Sequence, residues 1–281
     1  NSPNAMHIFT VDFECPSDYY TDKQGNRREI SQEGFFRSCE KLFSLLEQHK
    51  VKPTFFIMGK VADRYPDVIA EIAKKYDIGS HGYAHLNADK FSLGEFEKDL
   101  QKSLDVLEKV TGKRPDKFRC PYFSLPDRRY LAVLAANGIK TDCSLASLKH
   151  AYGPKVIESD TPCRLSIDQS CIRELPPSNI GFGSLKFGFL GGGYFRFFPY
   201  FMLKYWTKQK SDYSVSYIHP LDLCVEKPKD HSKTFVENFR ARAGLGRAAS
   251  KLDKYLSEFD FIDVETATKT IDWEHTPILK F

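Results

Sequence analysis

Thr54-Phe-Phe-Ile-Met58 is an uninterrupted apolar run set between Pro53 and Gly59. A run this short, with no polar alternation, reads as a strand covered on both faces. Such strands belong to parallel sheets with helices outside. The flanks agree with that reading. Upstream, Ile8-Phe-Thr-Val-Asp12 reads as a strand, and residues 35–49 form a helix with Phe36, Leu42, Phe43, Leu45 and Leu46 on one side. Downstream come a helix over 61–75 and a short strand, Asp77-Ile-Gly-Ser80. Ser92 followed by Glu95 is a capping box, and the helix it opens runs to Val110 and stops at Gly112. Residues 117–119 read as strand, 127–137 as helix with a stop at Gly138, and 139–143 as strand. This alternation predicts an α/β fold with a parallel sheet, open or closed into a barrel. In both cases ligands sit at the carboxyl ends of the strands, so polar residues there are the candidates for chemistry.

Beyond residue 149 the pattern becomes irregular, with Pro154, Pro162, Pro176 and Pro177 before residue 178. Residues 212–218 are again strand-like. Residues 233–259 are helical with a break near Gly244-Leu-Gly246, and Phe261-Ile-Asp-Val264 is placed to close the sheet. No stretch is rich enough in Gly, Ser or Pro to mark a linker, so residues 6–281 are expected to form a single domain. Residues 1–5 read as a tag remnant before a native Met6.

The chain has 281 residues, 41% of them hydrophobic and 28% charged, which excludes a disordered polymer. Its net charge of +4 is too small and dispersed to argue for nucleic acid or an anionic membrane. No 18-residue apolar run exists, so no membrane span is expected. The seven cysteines are an odd number, scattered and without a C-x-x-C pair. They read as reduced thiols and a cytoplasmic compartment.

Four segments carry unusual polar residues at strand ends. In Thr10-Val-Asp-Phe-Glu14, Asp12 and Glu14 share one face of an extended chain and Phe13 takes the other. In His81-Gly-Tyr-Ala-His85 two imidazoles stand at i and i+4, which on a helix puts both on one face within reach of a single cation. A Glu or Asp with two His would make an open three-ligand metal site, where bound water is acidified and a carbonyl polarised. In Arg119-Cys-Pro-Tyr122 a guanidinium ends a strand and could hold a carboxylate bidentately. In Tyr217-Ile-His-Pro220 a histidine ends an apolar strand, a position suited to a general acid. Each segment alone is also compatible with a purely structural role.

As an ordered set the four resemble the motifs of the polysaccharide deacetylase superfamily, the NodB-homology or carbohydrate esterase family 4 enzymes, over about residues 6–220. Glu174-Leu-Pro176, Gly191-Gly-Gly-Tyr-Phe-Arg196 and residues 239–246 further resemble the C-terminal extension of the branch found at exopolysaccharide loci, which here would fall within about 181–281. The resemblance implies a distorted (β/α) barrel with fewer than eight regular βα units. It implies Asp12 as catalytic base, held by Arg119. It implies His81 and His85 as ligands of one divalent metal, with Zn2+ the expected ion. The family's second Asp is replaced by Phe13, and Glu14 is the expected substitute ligand. The Tyr122 backbone N–H would stabilise the oxyanion and His219 would be the general acid. Tyr122, Phe123, Tyr194 and Tyr217 would line the substrate. The family's carboxylate for orienting the acid has no recognisable motif here, and Glu174 and Asp212 are the candidates.

The implied reaction is removal of an N-acetyl group from an amino sugar of a polysaccharide or its precursor, releasing acetate. The alternatives are opening of a cyclic amide or imide by an allantoinase-like hydrolase, and an inactive carbohydrate-binding barrel. An N-acetylated saccharide is the expected partner, and an oligomer is compatible with the sequence. Gly191-Gly-Gly193 reads either as a hinge for a lid or as a tight turn before a core helix over 194–208. Cys120 reads as a packing residue.

Overall fold

A computed structural model describes residues 5–14, 19–29, 32–147, 157–182, 185–210 and 212–281. Residues 1–4 of the stretch read as a tag remnant, Cys15, Lys149 and Pro154 lie outside them. Among the described residues seven strands form one continuous path, each parallel to its neighbours along it: β1 (Met6–Phe13), β2 (Thr54–Ile57), β3 (Asp77–Ser80), β4 (Lys117–Phe118), β5 (Thr141–Asp142), β6 (Ser170–Glu174) and β7 (Tyr213–Ile218). Their order is β7-β1-β2-β3-β4-β5-β6. The ring closes just past β6. Val215 N–H donates to Ser178 Oγ at 2.8 Å and the Tyr213 hydroxyl to the Pro176 carbonyl at 2.9 Å. The result is a distorted seven-stave barrel, as the resemblance implied.

Cys163–Ile167 pairs antiparallel with β6, and Ile278–Leu279 extends it outside the barrel. The hairpin lies in the stretch that sequence reading left irregular. Its alternating burial is the period-2 signal that the surrounding prolines obscured. Phe261–Ile262 pairs with β1 at His7 and Ile8, off the main strand path, and Val264 begins a helix, so this segment joins the sheet but does not close it.

Helices α1 (Gln32–Gln48), α2 (Gly59–Arg64), α3 (Pro66–Lys75), α4 (Leu93–Thr111) and α5 (Arg128–Ala136) follow their strands. The expected single helix over 61–75 is two, because Pro66 has no N–H to donate and starts a new helix. The Ser92–Glu95 capping box forms, and left-handed Gly112 ends α4. After β6 come α6 (Gly192–Phe197) and α7 (Tyr200–Gln209), divided at Pro199. Then come α8 (Phe235–Arg242), α9 (Leu245–Glu258) and α10 (Val264–Thr270).

The largest apolar cluster packs β1 and β2 against α1, α2, α7 and α9 through Phe13, Phe55, Leu42, Leu203 and Leu252. Ile8, Phe56, Cys143 and Leu175 fill one end of the barrel and meet Val264 and Ala267 of α10. Thr54, Asp77 and Lys117 form a polar group at that end with Val264 N–H and Glu265 of α10, and Asp12, Arg119 and His219 gather at the other. No described helix is long and apolar enough to cross a membrane.

Candidate active site

Asp12 and Glu14 do share a face, and Phe13 turns away into the helix layer against Phe35 and Phe55. Asp12 is buried. Its Oδ1 accepts from Arg119 Nη1 at 2.8 Å. Arg119 is wholly buried, donates through Nη1 to Thr10 Oγ1 and through Nε to the Cys143 carbonyl, and lies 4.5 Å over the Phe56 ring. The guanidinium therefore grips Asp12 with one nitrogen rather than with the bidentate fork the sequence suggested.

The two histidines converge, but not on a helix. The 81–87 segment is a loop in which Gly82 has φ +71° and His85 φ +56°. Asp99 of α4 shapes it, accepting from Tyr83 N–H at 2.8 Å and Ala84 N–H at 3.0 Å. A Cβ at position 82 would stand 2.9 Å from the Asp99 carboxylate. The i,i+4 spacing therefore predicted convergence correctly through the wrong local structure.

Glu14 Oε1 lies 2.9 Å from His81 Nε2 and 2.8 Å from His85 Nε2. His81 Nδ1 lies 2.8 Å from the Arg119 carbonyl, which can only accept. The proton of a neutral His81 thus sits on Nδ1, and its Nε2 lone pair faces a carboxylate oxygen. Lone pairs at that distance repel unless a cation lies among them. The donor set of Glu14, His81 and His85 fits a divalent metal on these grounds, and the Arg119 carbonyl is the outer partner that fixes a metal-binding imidazole. Burial alone would raise the Glu14 carboxyl. His219, His81 and His85 outweigh it and hold it well below the usual carboxylate range.

His219 ends β7, and its Nε2 lies 3.7 Å from both Asp12 Oδ2 and Glu14 Oε1. Asp222 orients it, accepting from His219 N–H at 2.8 Å and lying 3.2 Å from its Nδ1. Burial works to lower the imidazole. Glu14, Asp222 and Asp12 prevail and push it up to about 10. Asp222 is in turn paired through Oδ1 with Arg196 Nε at 2.8 Å, both side chains buried. Despite its burial, Asp222 is held at about 2 by His219 and Arg196.

Neither carboxylate named from sequence fills the orienting role. Glu174 accepts from Leu145 N–H and is buried beside Asp142, which leaves it well above the usual carboxylate range. Asp212 contributes its backbone carbonyl to Met6 at the far end of β7. The signal for Asp222 was local. Pro220 starts a short 3-10 turn (Pro220–Leu223) that brings the residue at i+3 back onto the histidine.

The Arg119-Cys-Pro-Tyr122 turn puts Tyr122 in a left-handed conformation, φ 58°, with its ring edge-on to His85 at 4.6 Å. Phe123 and Tyr217 meet edge-on at 5.0 Å. Tyr122 and Tyr194 are exposed, whereas Tyr217 is buried. The glycine triplet forms the tight turn rather than a hinge. A Cβ on Gly191 would lie 1.8 Å from the Tyr217 ring, and one on Gly192, 3.4 Å from His219 Nδ1. Cys120 is buried and its thiol is pushed up to about 12, so it is a packing residue.

Residues 34–141 match the family model described as polysaccharide deacetylase. That segment belongs to the polysaccharide deacetylase superfamily. Residues 143–269 match a second model, a domain of unknown function (DUF3473). A peptidoglycan-N-acetylglucosamine deacetylase of Bacillus cereus is 35% identical over 83 residues, 29% of this chain and 30% of its own length. The chain spans about a third of the length of the curated relatives it matches. Among solved structures, the peptidoglycan deacetylase PdaC of Bacillus subtilis superposes with a TM-score of 0.51 at 15% identity, covering 96% of this chain and 92% of that one. A carbohydrate esterase family 4 pseudoenzyme of Bacillus anthracis gives 0.52 at 14% identity, covering 99% and 70%. These likenesses establish the shared barrel. The deacetylase model spans His81, His85, Arg119 and Tyr122. Asp12 and Glu14 lie before it, and His219, Asp222 and Arg196 all come from the segment of unknown function.

Proposed function

We propose that this chain is a metal-dependent hydrolase that removes an N-acetyl group from an amino sugar of a polysaccharide or its precursor. The observation that carries the reading is a convergence of two groups of atoms. Glu14, His81 and His85 present one set of ligand atoms within 4.8 Å of one another, and Asp12, Glu14 and His219 present a second. A divalent metal held by the first set, Zn2+ by donor preference, would supply Lewis acidity toward the acetamide oxygen and its attacking water.

The chain's own residues do the rest. Arg119 holds Oδ1 of Asp12, leaving Oδ2 on the His219 side to take a proton from the attacking water. The water oxygen bonds to the acetamide carbon, and the Tyr122 N–H is the proposed donor to the oxygen that becomes negative. The C–N bond then breaks. His219, kept protonated by its acidic neighbours, gives its Nε2 proton to the departing nitrogen, leaving acetate and a free amine. Tyr122 and Tyr194, exposed beside the site, and Phe123 with Tyr217 deeper in, offer ring faces to a saccharide. Exposed aromatics suit an open sugar groove better than the closed pocket a small cyclic imide needs. Similarity of the 191–196 segment to exopolysaccharide-locus members supports that branch, a single functional unit over 6–281, and a cytoplasmic setting consistent with the free cysteines among the described residues.

The test is metal content by elemental mass spectrometry on wild type and His85→Ala, with acetate release from chitopentaose as the activity readout. The expected result is near-stoichiometric transition metal and acetate release, both lost in the variant. Wild type that holds no metal even after zinc addition would refute the reading and leave a binding barrel.

A further inference from the structure

Helix α8 is inside out. Its sequence, Phe235-Val-Glu-Asn-Phe-Arg-Ala-Arg242, buries one residue, and that residue is polar Asn238. Asn238 ties the helix to its own preceding turn, accepting from Asp230 N–H at 2.8 Å and donating to the Asp230 carbonyl at 2.7 Å. Phe235, Val236 and Phe239 all face solvent, Phe235 at 78% exposure. The phenylalanines continue onto α6: Phe235 stacks on Phe239 at 6.5 Å, and Phe239 meets exposed Phe197 edge-on at 6.3 Å. On α7 the solvent stripe is Phe201, Lys204, Tyr205 and Lys208, spaced at i, i+3, i+4 and i+7, with Phe201 71% exposed. Isolated exposed apolar residues need no explanation, but the contiguous run Phe235–Phe239–Phe197 across two helices, with the α7 stripe starting four residues after Phe197, marks an interaction surface.

The charge around the patch selects its partner. Residues 192–258 hold twelve Lys and Arg against seven Asp and Glu, a surplus larger than that of the whole chain. The positive charge that looked dispersed along the sequence is thus concentrated in this segment. Lys208 alternates with the aromatics on α7, and Arg240 and Arg242 do so on α8. A groove of about 690 Å³ beside Phe197 and Phe239 is edged by Arg247, Ser250 and Lys254. Helices that show Phe and Tyr on the outside, interleaved with Lys and Arg, have the composition of surfaces that lie in a lipid interface and attract anionic headgroups.

We infer that the outer faces of α6, α7 and α8 form a docking surface for an anionic lipid bilayer. The patch adjoins the catalytic site directly. Helix α6 begins at Gly192 against His219, carries exposed Tyr194, buries Arg196 against Asp222 and ends at Phe197 in the patch. Docking through Phe197 and α8 would bring the mouth of the site to the membrane surface. There a saccharide still attached to a lipid carrier would be within reach. The docking claim stands whether or not the deacetylase reading does.

The experiment is co-sedimentation of the full chain with phosphatidylcholine vesicles, with and without about 30% phosphatidylglycerol, at low and high salt. The wild type should bind the anionic vesicles, release from them as salt rises, and bind neutral ones at least about 10-fold more weakly. Phe235→Ser/Phe239→Ser, and independently Phe201→Ser/Tyr205→Ser on the other helix, should each weaken binding about 10-fold or more. Melting temperature, metal content and acetate release from soluble chitopentaose should be unchanged in both. Absence of anionic-vesicle binding, or binding indifferent to both pairs of substitutions, would overturn the inference. So would a wild-type dimer in light scattering that either pair converts to monomer, because the face would then belong to a second copy. Loss of metal or of acetate release in the wild type would count against the deacetylase reading alone.

Discussion

Arg196 reaches Asp222 with its Nε 2.8 Å from Oδ1, on the side of the carboxylate opposite His219. Its Nη1 donates to the Ala243 carbonyl at 2.7 Å, between α8 and α9. The same junction is packed tightly: a Cβ on left-handed Gly244 would come within 2.1 Å of the Arg196 carbonyl oxygen. Lys251 of α9 donates to the carbonyls of Phe195, Arg196 and Phe198. The C-terminal helices therefore hold the arginine that holds the aspartate that orients the histidine.

Removing that arginine leaves Asp222 buried with half its partners. Arg196→Met should cost about 3–5 kcal/mol of stability, read by urea unfolding. Among molecules that remain folded, kcat for acetate release should fall about 10- to 100-fold with KM little changed, because the buried Arg196 spends its hydrogen bonds on Asp222 and backbone carbonyls. Arg196→Lys should recover part of kcat. A KM effect equal to the kcat effect would place Arg196 in substrate binding instead.

Asp222 also makes stability depend on acid. Its folded value, about 2, lies below the ordinary aspartate value of about 3.9. The stabilisation is complete above the ordinary value and is lost as pH falls through the folded one. It is worth about 2–3 kcal/mol. Asp222→Asn should flatten the wild-type loss of melting temperature between about pH 4 and pH 2. An unchanged acid limb would show that other carboxylates carry it.

Asp12→Asn keeps the shape of the site but removes the proposed base. Acetate release should drop by about 10²–10⁴-fold while metal content stays at the wild-type level. The two measurements separate this variant from His81→Ala, which should lose both.

Metal should report on stability as well as activity. With the carboxylate of Glu14 facing two imidazole nitrogens, chelation should lower the melting temperature. Zinc at about 100 times its dissociation constant should restore about 2.7 kcal/mol. His85→Ala should abolish the zinc response. A zinc response that survives in His85→Ala would move the site elsewhere.

Gly191→Ala tests the turn beneath the site. The Tyr217 ring fills the space of the new methyl, so the variant should lose about 1–3 kcal/mol or more, with His219 displaced. Full stability would mean that the 190–193 turn can move, which a hinged lid requires.

The barrel was legible because its staves are short, apolar and separated by amphipathic helices with explicit stops such as Gly112. Asp12, Glu14, His81, Arg119 and His219 lie in or just after the ends of strands, and strand ends in a parallel barrel meet whatever the chain does between them. His85 lies further out in a loop, and it was the resemblance of the four motifs as a set that singled it out. What failed to show was tertiary or turn-encoded. The 81–87 loop takes its shape from Asp99, a residue on a helix with no sequence link to the histidines. Asp222 was missed because the orienting carboxylate was sought at a distance rather than one turn after Pro220. Arg196 was visible only as the last residue of Gly191-Gly-Gly-Tyr-Phe-Arg196 and carried no role there, because its partner Asp222 comes 26 residues later and meets it only in the fold.

The adjacency of β7 and β1 has a consequence for biosynthesis. Thr10 and Tyr217 are register partners, so the first stave waits for one made more than 200 residues later. Asp12 and Glu14 are therefore made about 200 residues before His219. Until β7 is made, one edge of β1 lacks that neighbour and Asp12 lacks the imidazole that faces it. A nascent or truncated chain that stops short of β7 would hold an incomplete site however well its first half had folded.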